Sequence, residues 1–330
     1  MWPFSRKSSS KSPVGPFVGA FGKLPCTGDF LRVRAGVEPA QAFQQWLGKA
    51  IDWAAPRGLE GWPDRLDETP YGFVFSAGTG VLVGVLRGSR DSAGRRFPMA
   101  VFGALDAAEL EGRTAIIPFA LAGFLDAARG LVDAGSSVDS AATLERLVDG
   151  LPSPRIAPGA SGHFTLWASS HLAREVWDGA YGADQGAGAR VAIHTVFEAL
   201  APFRGKDGNE MPLVARLPLG AEPTLEVCAW LELVRAAGGW KRHVPTALWP
   251  LARPSNRAPA LVVGLGQAHP LALAEAVLGQ VDADQVCDLT RAHPPTEATR
   301  GFRPLGDRLT ATFADPSASV GALLDAAYGL

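Results

Sequence analysis

The sequence predicts a layered α/β fold, a mixed sheet covered by helices, on three observations. β-rich runs and helical periodicities alternate along the whole chain, which puts strands and helices into shared layers. Two of the β-rich runs, 71–76 and 81–86, are separated only by Ala77-Gly78-Thr79-Gly80. That is a hairpin signal, and a hairpin excludes a purely parallel sheet. The 330 residues are 47% hydrophobic with a formal net charge of −2. A chain of that composition folds, because disorder needs low hydrophobicity and high net charge.

Taken in order, residues 1–16 are rich in Ser, Lys and Pro and read as a disordered N-terminal tail. Order is expected from Phe17-Val18-Gly19-Ala20-Phe21, a strand ending in Gly22, followed by a turn-rich segment from Lys23 to Asp29. Pro39 opens a helix at a favoured first-turn position, and Phe43, Trp46, Leu47, Ala50 and Ile51 recur at three- and four-residue steps to make one buried face. The hairpin follows, and a charged loop, Arg87 to Arg96, leads into a third β-rich run, Phe97 to Leu105. Helical patterns cover 114–132 and 140–148. The Pro/Gly/Ser-rich stretch beginning Leu151-Pro152-Ser153-Pro154 is the best internal boundary. It divides an α/β domain at 17–150 from a C-terminal α/β portion at 151–330, packed on the first. Beyond it, strands are expected at 163–168, 213–219, 246–249 and 260–265. Helices are expected at 224–237, as an amphipathic one, at 271–278 and at 317–328.

Composition excludes several classes. Nucleic-acid binders rely on neutralising phosphates with a basic stripe. Here the local basic excess is only Arg6, Lys7 and Lys11, so no nucleic-acid partner is expected. Cys26, Cys228 and Cys287 are odd in number and far apart, the usage of a reducing compartment. The N-terminus has no apolar region after its basic residues, and no apolar run is long enough to span a bilayer. The expectation is a cytoplasmic protein without a membrane span.

No catalytic pattern emerges. A phosphate-cradling loop around Gly22-Lys23 would need glycine at Phe17 and Ser or Thr at Leu24. Gly78-Thr79-Gly80 has Val83 at the third glycine position of a dinucleotide fingerprint and joins two strands. The six histidines include no pair at metal-ligand spacing, and there is no Cys-x-x-Cys. Neither Ser76 nor Ser161 sits in Gly-x-Ser-x-Gly. Cys26 lies in a turn beside Lys23, where an inert thiol and a reactive one are both conceivable. No catalytic residue, cofactor or metal is expected.

Two segments are more specified than packing alone requires. The first contains Gly22, Lys23, Pro25, Gly28, Asp29 and Phe30; the second contains Ser89, Asp91, Gly94, Arg95, Arg96 and Phe97. Each reads either as a structural turn or as a rigid charged loop that binds a partner. Pairing of Asp91 and Arg95 or Arg96 with Lys23 and Asp29 would join them into one surface, or into a buried brace.

At these residues the chain resembles the TagF (also called ImpM) family of type VI secretion-associated proteins. The resemblance is carried by Phe21-Gly22-Lys23-Leu24-Pro25, Gly28-Asp29-Phe30, Trp46-Leu47, Tyr71-Gly72-Phe73, Ser76-Ala77-Gly78 and Gly84-Val85-Leu86. It ends with Ser89-x-Asp91-x-x-Gly94-Arg95-x-Phe97-Pro98, so it covers about residues 17–105. The resemblance implies a three-layer α/β/α sandwich and a non-enzymatic, cytoplasmic accessory protein. Such a protein represses or modulates secretion assembly post-translationally, through a forkhead-associated scaffold protein. The alternatives are a stoichiometric structural subunit of the apparatus, or a hydrolase whose catalytic residues are dispersed along the chain.

Overall fold

A computed structural model describes residues 16–54, 62–77, 80–106, 110, 112–182, 186–206, 212–254, 257–279, 284–291 and 305–329. The tail expected at 1–16, all but Pro16, and the Gly78-Thr79 turn lie outside them.

The N-terminal elements are β1 (Phe17–Gly22), β2 (Leu31–Val33), α1 (Glu38–Ala54), α2 (Trp62–Glu68), β3 (Tyr71–Ala77), β4 (Gly80–Arg87) and β5 (Met99–Asp106). After a 3-10 turn come α3 (Ile117–Ala120), α4 (Ala122–Asp133), α5 (Ala141–Asp149), α6 (Ala160–Ser170), α7 (Ala173–Tyr181) and α8 (Gly186–Leu200). The remainder is β6 (Val214–Pro218), α9 (Pro223–Gly238), β7 (Ala247–Pro250), β8 (Ala260–Gly264), α10 (Leu271–Leu278), β9 (Val286–Asp288), α11 (Asp307–Ala314) and α12 (Val320–Tyr328). Among the described residues the strands form one sheet in the order β2-β1-β5-β4-β3-β7-β8-β6-β9. Only the β6–β9 pair in it is parallel.

Helices cover both faces, which is why the strands read as apolar runs rather than as clean alternation. Period-two geometry still sorts the side chains. Phe73, Phe75, Leu82, Leu86 and Phe102 face α1 and α10, while Val74, Val81, Val83, Val85 and Val101 face the opposite core under α4 and α5. Phe43 of α1 is fully buried and stacks on Phe73 at 4.7 Å between ring centres. The result is an α/β sandwich with a mixed sheet. Strands from both sides of residue 151 build it: β3 pairs with β7, and 151–159 cross between the two portions without regular structure, with Pro154 buried.

Several elements differ from the sequence reading. The strand expected at 163–168 is the middle of α6. Leu166 is 66% exposed, and the buried stripe is Ala160, Phe164, Trp167 and Ala168, at helical spacing. The helical run at 114–132 breaks at Leu121, where α3 gives way to α4. The run beginning at Phe97 becomes strand only at Met99.

Helix α9 is not amphipathic in place: residues from Glu226 to Gly238 are buried round most of its circumference. Glu226 is buried and accepts the backbone N–H groups of Gly220 and Glu222. β2, α2, α7, α8, β9 and α11 were not anticipated; all but α8 are nine residues or shorter.

Candidate functional site: a two-loop clasp

The two specified segments meet. The first leaves β1 at Gly22, whose φ of +150° and whose backbone contact explain the residue: a Cβ there would lie 2.2 Å from the Pro98 carbonyl oxygen. The chain therefore passes directly under the segment entering β5. The second leaves β4 and makes a tight turn closed by hydrogen bonds from Asp91 N–H to Arg95 O and from Gly94 N–H to Asp91 O, with Gly94 at φ +80°. Ser92 N–H donates to Thr27 O at 3.0 Å, which fastens the tip of one loop to the other.

Asp91 is the centre. Its side chain is fully buried, and it accepts four hydrogen bonds. Lys23 Nζ at 2.6 Å and Arg95 Nε at 2.7 Å bind one oxygen, and the N–H groups of Ala93 and Arg95 bind the other. The Lys23 ammonium first, then the backbone and side chain of Arg95 and the Ala93 N–H, hold the carboxyl well below the usual range, against the opposing effect of burial. Arg95 also donates to the Gly28 carbonyl at 2.6 Å, so one side chain ties both loops.

An aromatic cluster seals this pair. Phe30 stacks on Phe21 at 5.3 Å and meets Phe97 edge-on at 4.7 Å, and Lys23 Nζ lies 5.0 Å from the Phe30 ring centre. Phe21 and Arg32 were outside the expected set. Arg32 sits over both Phe21 and Phe30, but its three-residue strand is too short to show a period.

Of the residues singled out in the sequence, Gly22, Lys23, Gly28, Phe30, Asp91, Gly94, Arg95 and Phe97 assemble here. Ser89 contributes its backbone, accepting Phe97 N–H at 3.1 Å. Arg96 is exposed and bridges Arg90 as a short antiparallel contact. Pro25 is exposed beside them. Asp29 does not join the ion pair: it is exposed, forms no ion pair with the described residues, and its N–H donates to the Thr27 hydroxyl at 3.2 Å.

Elsewhere, among the described residues no group of three or more His, Cys, Asp and Glu side chains is placed to hold a metal. Cys26 packs half-buried against the core. Burial pushes the Cys228 thiol up to about 12. No single described helix is long and apolar enough to cross a membrane.

Residues 19–152 match the family model described as the TagF N-terminal domain, type VI secretion system-associated. A search of curated proteins returns no match. A similar solved structure is that of PA0076 from Pseudomonas aeruginosa PAO1, with 16% identity and a TM-score of 0.48 over 81% of this chain and 96% of that one. The clasp lies wholly within the matched segment, so it belongs to the part of the chain, residues 19–152, that matches the type VI secretion system-associated TagF N-terminal domain.

Proposed function

We propose that the protein is a non-enzymatic, cytoplasmic accessory factor that modulates type VI secretion assembly by binding a component of the apparatus, with the outer rim of the clasp as the contact surface. The observation that carries this reading is the division of labour within the clasp. Lys23 and Asp91 are buried and lock the loops, while Pro25, Asp29, Arg95 and Arg96 are held exposed on the locked frame. Charged groups fixed on a rigid scaffold suit recognition, because little conformational freedom is lost on binding. The chemistry of the clasp favours binding over catalysis. Its one buried carboxylate is saturated with four donors and held ionised, the opposite of a general base tuned toward neutral pH. A forkhead-associated scaffold protein is the partner to test first, in keeping with the family resemblance, and repression is the expected sense of the regulation.

Asp29→Ala tests the surface cleanly. Asp29 is exposed and outside the ion pair, so its truncation is expected to change stability by no more than about 0.5 kcal/mol. Tagged wild-type protein is expected to recover type VI components from its native cell, the forkhead-associated protein among them, and folded Asp29→Ala to recover them poorly. Equal recovery by the two would move the surface away from the clasp. Recovery of no secretion component by either would remove the binding reading altogether.

A further inference from the structure

A second constellation lies at the C-terminal end of α10, built mostly from residues beyond the family match. Arg65 of α2, Arg216 of β6, Arg257 of the β7–β8 connection and Arg291 after β9 all line one cavity of about 240 Å³, together with Asp288 and Thr290. Four guanidinium groups converge from four separate elements.

Part of this convergence has a structural purpose. A helix C-terminus carries partial negative charge and unpaired carbonyls. Arg65 Nη1 donates to Leu278 O at 2.8 Å, and Arg257 Nη2 donates to Ala276 O at 2.5 Å. Capping accounts for those two side chains, but not for the other two.

Arg216 caps nothing. Its side chain is 10% exposed, and its contacts are long: Glu275 at 3.6 Å, and hydrogen bonds to Asp288 at 3.4 Å and to the Thr290 hydroxyl at 3.5 Å. A buried guanidinium ordinarily has short, bidentate partners. Arg291 is 76% exposed and reaches Asp288 only at 3.8 Å. Against four guanidiniums, which stay charged at any physiological pH, the described residues set the two carboxylates Glu275 and Asp288 in ion-pair range. The cavity is therefore left with a surplus of about two positive charges by this count of formal charges.

The backbone makes room for this. Gly279 ends α10 at φ +65°, and a Cβ there would lie 2.7 Å from Arg257 Nη1 and 3.3 Å from Arg216 Nη2. Glycine at this cap lets two guanidiniums close in on the space beyond the helix end.

We infer that this cavity is a binding site for a phosphoryl-type oxyanion, gripped by Arg216, Arg291, Arg65 and Arg257. Charge and fork geometry match: an oxyanion with two negative charges neutralises the surplus, and guanidiniums bind phosphate oxygens in pairs. The cavity, about 240 Å³, has room for a phosphoryl group.

The test is calorimetric titration of the full-length protein with inorganic phosphate at low ionic strength, repeated with AMP. Saturable binding of phosphate that weakens as salt is raised is the expected result. Arg65 and Arg291 are exposed, so Arg65→Ala and Arg291→Ala remain folded and are each expected to weaken binding by about tenfold, the loss of one charge-assisted contact. Equal affinity for phosphate and AMP assigns the site to the free oxyanion, whereas tighter AMP binding assigns it to a phosphomonoester; either supports the site. No saturable binding of phosphate, or binding unchanged in the Arg65→Ala, Arg291→Ala double variant, overturns it.

Discussion

Replacing Lys23 by Met isolates what holds the clasp shut. Methionine keeps the apolar stem in place and removes only the ammonium, which is 2.6 Å from Asp91 and 5.0 Å from the Phe30 ring centre. Stranding one member of a buried ion pair outright costs about 3–5 kcal/mol. Here Asp91 keeps Arg95 and two backbone N–H groups, so the loss is closer to one charge-assisted hydrogen bond, about 2–3 kcal/mol. Urea unfolding followed by tryptophan fluorescence reads it directly, with nine tryptophans as reporters. The same geometry ranks the neighbours. Arg95 is 64% exposed, so Arg95→Met is expected to cost about 1 kcal/mol or less. The pair also sets an acid limb. Because the folded carboxyl of Asp91 lies below its unfolded value of about 3.9, its contribution is complete above that pH and is lost as the pH falls from there toward the lower folded value. Lys23→Met should flatten that limb relative to wild type. A Lys23→Met cost below about 0.5 kcal/mol, the range of an ordinary surface change, would refute the brace.

Three further outcomes follow from packing. Phe43→Ala removes a fully buried ring in contact with Trp46, Phe73, Phe75 and Phe102, and is expected to cost about 3–5 kcal/mol in the same urea assay. Ser319→Ala deletes the N-cap of α12, whose hydroxyl accepts Ala322 N–H at 3.1 Å; about 1 kcal/mol should be lost, visible as a lowered Tm. Cys228, fully buried with its thiol pushed up to about 12, should resist a thiol reagent in native buffer and react once urea unfolds the chain. Rapid native labelling of Cys228 would contradict the burial of α9.

The elements legible in the sequence are those whose pattern is local and long enough to repeat. β1, the β3–β4 hairpin, α1 and α10 each display their period or their turn within a single window. Ser140 marks a helix start by the hydrogen-bonding chemistry of its own side chain, whereas the terminal helix, expected from 317, begins only after its cap at Ser319. The clasp was half legible. Glycines, a proline and opposite charges at fixed spacing announced two specified loops, because backbone shape and charge are written residue by residue. Which charges would pair was not written: Asp91 took Lys23 and Arg95, and Asp29 stayed in solvent, since burial of a carboxylate depends on a ring cluster assembled from three chain segments. For the same reason α6 read as a strand over six residues and α9 as an amphipathic helix, although Glu226 is buried as a capping group. The arginine cavity is the extreme case. Its residues lie at 65, 216, 257 and 291, and no local pattern links them. The sequence alone determined the layers and the turns, through periodicity and backbone chemistry acting within about one element's length. Tertiary structure decided which polar groups are buried and which meet, because desolvation and charge pairing act through space between residues that are distant in the chain.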